Sequence, residues 1–144
     1  MSKTEAKAIR FNTPDVWQIE NYPYCQAAVE PEGRRVHIAG QVAWGADRQL
    51  VGKNDAAKQT EQTIDNIETI LTAMGGTIKD VVSVTMYYVR DEDLADIRDV
   101  RGRRFDVAHG PASTGVKVAG LVRPDLLVEM SAIAVIPEDR FRAG

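Results

Sequence analysis

One carboxylate lies inside an apolar stretch and is the clearest candidate for chemistry in this chain. Residues 126–136, LLVEMSAIAVI, carry a single charge, Glu129. The run predicts a buried strand in the middle of a sheet, with Ser131 on the same side as Glu129. A charge there is costly unless it is paired or reaches a cleft that admits water. A structural carboxylate fits this pattern as well as a functional one.

The other reactive side chains form no recognisable catalytic or metal motif. His37, His109 and Cys25 stand at unrelated spacings, which predicts no metal site. Ser113 and His109 lack the strand–turn–helix elbow and the orienting acid of a serine nucleophile. His109 precedes the Pro-Ala-Ser segment and could supply a proton or a charge, although a loop histidine beside Gly-Pro is usually incidental. His37 is expected to be a surface or interface residue, and Cys25 a packed strand residue.

Composition restricts the class of partner and the compartment. The net charge of −3 argues against nucleic acid as the main partner. The basic stretch 101–105, RGRRF, accordingly predicts a solvated helix face paired with Asp96, Asp99 and Asp106. One cysteine excludes an internal disulfide and fits a reducing compartment. No run has the apolar length of a signal peptide core or a membrane span, so we expect a cytoplasmic protein.

The elements that must position Glu129 begin with a predicted hairpin. Residues 1–22 are expected to be irregular and packed against the body. Residues 24–29 form a predicted strand, and after a turn at 31–34 the segment 35–43 is expected to pair back with it. Gly40 removes a side chain in mid-strand, which predicts a bulge or a group that approaches the backbone closely.

The rest of the chain alternates helices and strands. Asn54 or Asp55 is expected to cap a helix that runs to Met74, with an apolar stripe at helical spacing. The later predicted elements are a strand over 81–89, a helix opened by 91–93 and stopped by 109–111, a short strand over 115–118, the strand 126–136 and a tail over 137–144.

This order predicts one α+β domain of 144 residues. Two crossovers with only two helices place both helices on one face of a mixed sheet. The other face then has no cover of its own, although the central strands are apolar on both sides. We therefore expect that face to pack against another copy of the chain in a homo-oligomer.

Five segments together resemble the Rid (YjgF/YER057c/UK114) family over about residues 26–137. They are VHIAGQVAW, AAKQTEQTIDNIETILTAMGG, IKDVVSVTMYYVRDEDLADI, GPASTGVKVAGL and LVEMSAIAV. The resemblance implies a chorismate-mutase-like fold of the bacillus type, a homotrimer, and small molecules bound without a cofactor in clefts between subunits. It further implies hydrolysis of reactive enamines or imines, such as 2-aminoacrylate or 2-aminomuconate, with release of ammonia. The ribonuclease label attached to this family gains no support from an acidic chain.

The resemblance assigns roles to individual residues, with one departure. Tyr24 matches a tyrosine that lines the pocket, and Gly40 matches the glycine that lets a ligand approach, although the serine that precedes it in the family is Ala39 here. Glu129 matches the glutamate that holds the attacking water. The family motif Pro-Ala-Arg-Ser carries an arginine that binds the substrate carboxylate, and this chain has Ser113 at that position.

The missing arginine leaves three alternatives open for the anionic end of the substrate. Arg123 or a helix arginine can reach the site, or the backbone N–H groups of Ser113, Thr114 and Gly115 can serve, or the substrate lacks the carboxylate. The resemblance favours a hydrolytic deaminase with Glu129 as its catalytic residue. The alternative function is a non-catalytic protein that binds a small metabolite and has lost the arginine.

Overall fold

The computed structural model describes residues 7–144, which form an α+β fold as predicted. The strands are β1 (Ile9–Phe11), β2 (Ala27–Val29), β3 (Arg34–Gln41), β4 (Val81–Tyr88), β5 (Ala112–Lys117) and β6 (Val128–Ile136). The helices are α1 (Ala56–Ala73) and α2 (Leu94–Arg104), and single 3₁₀ turns lie at Ile78–Asp80, Asp91–Asp93 and Val107–His109.

The apolar strand β6 lies inside the main sheet, as its composition predicts. The strand order is β3-β6-β4-β5, with β6 antiparallel to both neighbours and β4 parallel to β5. Alternate residues of β6 are fully buried under the helices: Val128, Met130, Ala132, Ala134 and Ile136. Between them Glu129, Ser131 and Ile133 are only half-buried. We call their side of the sheet the open face, because no helix of the described chain covers it.

Both helices pack on the other face, and their ends are set by local sequence. The Asp55 side chain accepts a hydrogen bond from the Lys58 N–H at 3.0 Å and starts α1. Gly75 ends it in the left-handed region, at φ +84°. Helix α2 is shorter than predicted, because the backbone turns extended at Phe105 and a separate 3₁₀ turn, capped by Asp106, precedes Pro111.

The predicted hairpin between residues 24–29 and 35–43 is wrong. Strand β2 pairs instead with β1, and β3 pairs with β6. The reason lies at Cys25, whose N–H donates to the Pro111 carbonyl at 3.1 Å and which bridges to Ala112. The segment before β2 therefore lies at the β5 edge of the sheet, which is the edge opposite β3.

Arginine side chains hold both ends of the described chain against the rest of the fold. The Arg10 side chain donates to the carbonyls of Gly110, Lys79 and Val81 at 3.0–3.2 Å, so the N-terminal segment contains a fixed strand rather than only irregular backbone. In the C-terminal segment, Arg140 pairs with the buried Asp80 at 2.6 Å. No helix within residues 7–144 is long and apolar enough to cross a membrane.

Candidate functional site

Glu129 lies on the open face of β6, directly over Gly40 of the neighbouring strand β3. The pairing of β3 with β6 is interrupted between Ile38 and Gln41, so Gly40 sits in an irregularity of the ladder. A Cβ atom added to Gly40 would collide with the Glu129 carboxylate. The prediction that Gly40 marks a bulge or a close approach to the backbone is confirmed, and the group that approaches is this side chain.

Glu129 has no partner for its charge in the part of the chain that the structure describes. It makes no hydrogen bond and no ion pair with any of residues 7–144, although it is half-buried. Further along the open face, a cavity of about 220 Å³ is lined by Ser83, Thr85 and Ser131, with exposed His37 at its side. Ser131, two residues from Glu129 on the same side of β6, therefore lies between the carboxylate and this cavity.

A second group of site residues lies on the opposite face of the sheet, at its β5 edge. Tyr24 and Ser113 line a cavity of about 200 Å³ between the N-terminal segment, α2 and β5. The Trp17 ring stacks on Tyr24 with 6.0 Å between ring centroids and 7° between planes. The backbone of Gly110 contacts that of Tyr24 so closely that a Cβ would collide with it. The Gly-Pro preceding β5 thus brings the tyrosine to this cavity.

Arg101 also lines this cavity, and the prediction for it is wrong. It is only 5% exposed rather than solvated, and its Nη2 donates to Ser113 Oγ at 2.8 Å. Its buried Nε has no hydrogen-bond partner. Burial lowers the pKa of this guanidinium, and nearby Tyr22 partly offsets the shift.

A signal for the burial of Arg101 exists in the sequence. Ile97, Val100 and Arg101 are spaced i, i+3, i+4 and so share one helix face, and all three are buried. The other two arginines of the basic stretch do form surface ion pairs, Arg103 with Asp99 and Glu61, and Arg104 with Glu61, Asp65 and Glu68. Of the predicted aspartate partners, only Asp99 is used by these arginines.

The remaining candidates lie apart from this cavity or at its edge. Thr114 is opposite Thr85 in the β4–β5 register and so faces the open side of the sheet, whereas Gly115 lines the cavity. Arg123 is exposed in the loop before β6 and lines a different cavity, of about 430 Å³, with Trp44 and Arg48. The His109 Nδ1 lies 3.1 Å from an Asp106 carboxylate oxygen.

The structure therefore separates the candidate site residues of one chain into two groups, which we call half-sites. The carboxylate half-site is Gly40 and Glu129 on the open face; the cationic half-site is Tyr24, Arg101 and Ser113 on the helix face. Strand β6 is two strands from β5, or about 10 Å in the sheet. The sheet itself lies between the two half-sites. Among residues 7–144, no three histidine, cysteine or acidic side chains cluster in a way that could hold a metal ion.

The chain resembles known proteins over most of its length. Residues 19–136 match the family model described as endoribonuclease L-PSP. A RutC family protein from Pyrococcus abyssi is 36% identical over 112 residues, which are 78% of this chain and 85% of that protein. Protein DfrA from Myxococcus xanthus is 32% identical over 113 residues, which are 78% and 85% of the two chains.

Solved structures show the same likeness in three dimensions. A Rid-family protein of unknown function from Yersinia pestis has a TM-score of 0.83 at 33% identity, and the match covers 90% of this chain and 98% of that chain. RidA from an Antarctic Psychrobacter has a TM-score of 0.66 at 29% identity, with coverages of 83% and 97%. The family match spans the sheet, both helices and β6 with its glutamate. The chain belongs to the Rid (YjgF/YER057c/UK114) family and has its chorismate-mutase-like fold of the bacillus type.

Proposed function

We propose that this protein is a hydrolytic deaminase of small reactive enamines or imines, of the 2-aminoacrylate or 2-aminomuconate type, that releases ammonia without a cofactor. The observation that carries the proposal is the half-buried Glu129 carboxylate, which has no partner in residues 7–144 and is held over Gly40. Membership of the Rid family supports the same activity.

The reaction requires one water and one group that moves its proton. An enamine first takes a proton from solvent on carbon to give the iminium form of the imine. Water bound to Glu129 then adds to the iminium carbon, and one of its protons passes to the carboxylate, which leaves the neutral carbinolamine. The carboxylate returns that proton to the carbinolamine nitrogen; the C–N bond then breaks while the hydroxyl proton passes to the carboxylate, so that ammonia leaves and the carbonyl forms. The carboxylate finally releases this proton to solvent. Holding the water against the imine carbon supplies the proximity that the uncatalysed reaction lacks.

The active unit in this proposal is a homotrimer with the substrate between neighbouring subunits. One chain cannot bring its two half-sites to a single small molecule, because the sheet lies between them. A neighbouring chain packed on the open face would place its own cationic half-site opposite Glu129. The exposed edge strand β5 and the uncovered open face are surfaces on which such packing can occur.

The test measures ammonia and 2-oxo acid released from 2-aminoacrylate generated in the assay, above the spontaneous rate. Glu129→Gln keeps the size of the side chain and removes the proton acceptor. We expect it to lower turnover at least about 100-fold, the usual range for loss of a general base. Glu138→Gln, an exposed residue of the C-terminal segment, is the matched control and should retain full activity. Full activity in Glu129→Gln would remove the proposed role.

The alternative is a protein that binds a small metabolite and performs no chemistry. Ser113 favours it, because the family motif has an arginine at that position. Turnover by the wild type would exclude this alternative. If the wild type is inactive, a gain of activity in Ser113→Arg would indicate an eroded or retuned deaminase site.

A further inference from the structure

Arg101 is a buried cation without a counter-charge in the described chain. Arg101 is only 5% exposed, and no carboxylate of residues 7–144 forms an ion pair with it. A buried charge that is neither paired nor fully hydrogen-bonded is costly, so folded proteins rarely keep one without a use. Arg103 and Arg104 on the same helix illustrate the usual outcome, since both pair with acidic residues of α1.

The guanidinium is held in a fixed position by Ser113, to whose Oγ its Nη2 donates at 2.8 Å. Its Nε–H is buried and has no partner in residues 7–144, so the donors that a ligand can reach are those of the terminal nitrogens, of which Nη1 forms no hydrogen bond within these residues. A guanidinium has five N–H donors in a planar fork that matches the two oxygens of a carboxylate. Arg101 and Ser113 both line the cavity beside β5, so the fixed fork borders the space that a ligand can enter.

The cavity indicates the shape and size of that ligand. Its volume of about 200 Å³ corresponds to a handful of water molecules, hence to a compound of few heavy atoms. Its walls include the rings of Tyr22 and Tyr24, and Trp17 stacks on the second of these. Flat aromatic walls suit a planar skeleton. Two arginines line the cavity, the buried Arg101 and the exposed Arg98, so the ligand that suits it is an anion.

We infer that Arg101 is the anion-binding residue of this protein and that it binds the carboxylate of a small planar 2-oxo or 2-imino acid, with Ser113 orienting the guanidinium. The inference rests on the proposed function for the identity of that acid, and it assigns the group that holds the substrate's anionic end. The short side chain at position 113 leaves the space into which the α2 arginine reaches. An arginine at position 113 would instead place a second cation beside the first.

The inference is tested by isothermal titration calorimetry with pyruvate and with its neutral methyl ester. We expect wild type to bind pyruvate and to bind the ester at least ten-fold more weakly. Arg101→Met, which removes the charge and keeps the length, should lose pyruvate binding by the same factor. Arg101→Lys should fall between the two, since an ammonium lacks the planar fork. Trp17 emission, read in a Trp44→Phe background, should change when pyruvate enters the cavity.

The matched control is Arg103→Met, which removes an exposed arginine of the same helix and should leave pyruvate binding unchanged. Equal binding of pyruvate and its ester, or undiminished binding in a folded Arg101→Met variant, would overturn the inference. If Arg101→Met does not fold, the inference is tested by Arg101→Lys and by the comparison of acid with ester. Undiminished pyruvate binding in Arg101→Lys, or equal binding of pyruvate and its ester, would then overturn it.

The outcome also separates this inference from the deaminase proposal. A wild type that binds pyruvate through Arg101 but releases no ammonia from 2-aminoacrylate would keep the inference and remove the deaminase function. An active wild type whose KM for 2-aminoacrylate is unchanged in Arg101→Met would keep the deaminase function and remove the inference about Arg101.

Discussion

The Glu129 carboxylate occupies the space in which any side chain at position 40 would begin. Gly40→Ala should therefore displace the carboxylate, which is the movable end of a flexible side chain, more than it disturbs the sheet. We expect turnover of 2-aminoacrylate to fall at least about ten-fold, while the free energy of unfolding drops by no more than about 1–3 kcal/mol, the usual cost of overpacking. Assays of activity and urea denaturation on one preparation would check both expectations.

Gly120→Ala is the control for this substitution, because a Cβ there meets nothing within 4 Å. Unchanged turnover in Gly40→Ala would show that the position of the Glu129 carboxylate does not matter for the reaction.

At the residue scale, the sequence singles out Glu129 as a candidate but not Arg101. A charge inside an apolar strand is conspicuous because strand periodicity places it beside buried neighbours. A charge inside a basic stretch is not conspicuous, because Arg103 and Arg104 have the surface role that such stretches usually have. Helical spacing from Ile97 carries the missing information, and it conflicts with the expectation that an arginine stays exposed.

At the scale of elements, Gln59 connects the start of α1 to the loop before β6. It is fully buried; its amide nitrogen donates to the carbonyls of Gly52 and Asp125, and its oxygen accepts from Leu127 N–H at 2.9 Å. Gln59→Leu keeps the volume and leaves the Asp125 carbonyl and the Leu127 N–H without their partners, whereas the Gly52 carbonyl still accepts from the Asp55 N–H. We expect a loss of about 2–4 kcal/mol in the free energy of unfolding, measured by urea denaturation. Gln62→Leu, at a half-buried position of the same helix, should cost much less.

A second connection holds the C-terminal segment against the turn that precedes β4. Asp80 is buried, accepts from Thr77 N–H at 2.7 Å, and pairs with Arg140. Asp80→Asn removes the charge that this arginine contacts and should cost about 3–5 kcal/mol, the usual effect of breaking a buried pair. Asp99→Asn, which breaks an exposed pair with Arg103, should cost under about 1 kcal/mol. Equal midpoints of urea denaturation for Asp80→Asn and Asp99→Asn would contradict the expectation that the buried pair contributes more to stability than the exposed pair.

The elements themselves follow from local sequence, whereas their pairing does not. The cap at Asp55 and the β-branched content of β4 and β6 predict α1 and these strands to within about two residues. The false hairpin arises because a turn at 31–34 between two strand-like segments is a strong local signal. Cys25 and Arg10 override it through contacts with residues 110 and 111, and no local pattern reports contacts of such long range.

At the scale of the whole molecule, the separation of the two half-sites predicts that a variant of one half-site can complement a variant of the other. Glu129→Gln and Arg101→Met should each turn over little 2-aminoacrylate at concentrations well below the wild-type KM, because every cleft of the proposed homotrimer then lacks one group. When the two variants are co-refolded, some clefts receive Glu129 from one chain and Arg101 from its neighbour. Random assembly into rings of three restores about one quarter of the clefts, so activity should return to about that fraction of wild type. Sedimentation would verify that mixed oligomers form. Mixed trimers with no recovered activity would show that the two half-sites do not act on the same substrate, and a monomer with wild-type turnover would exclude a shared cleft altogether.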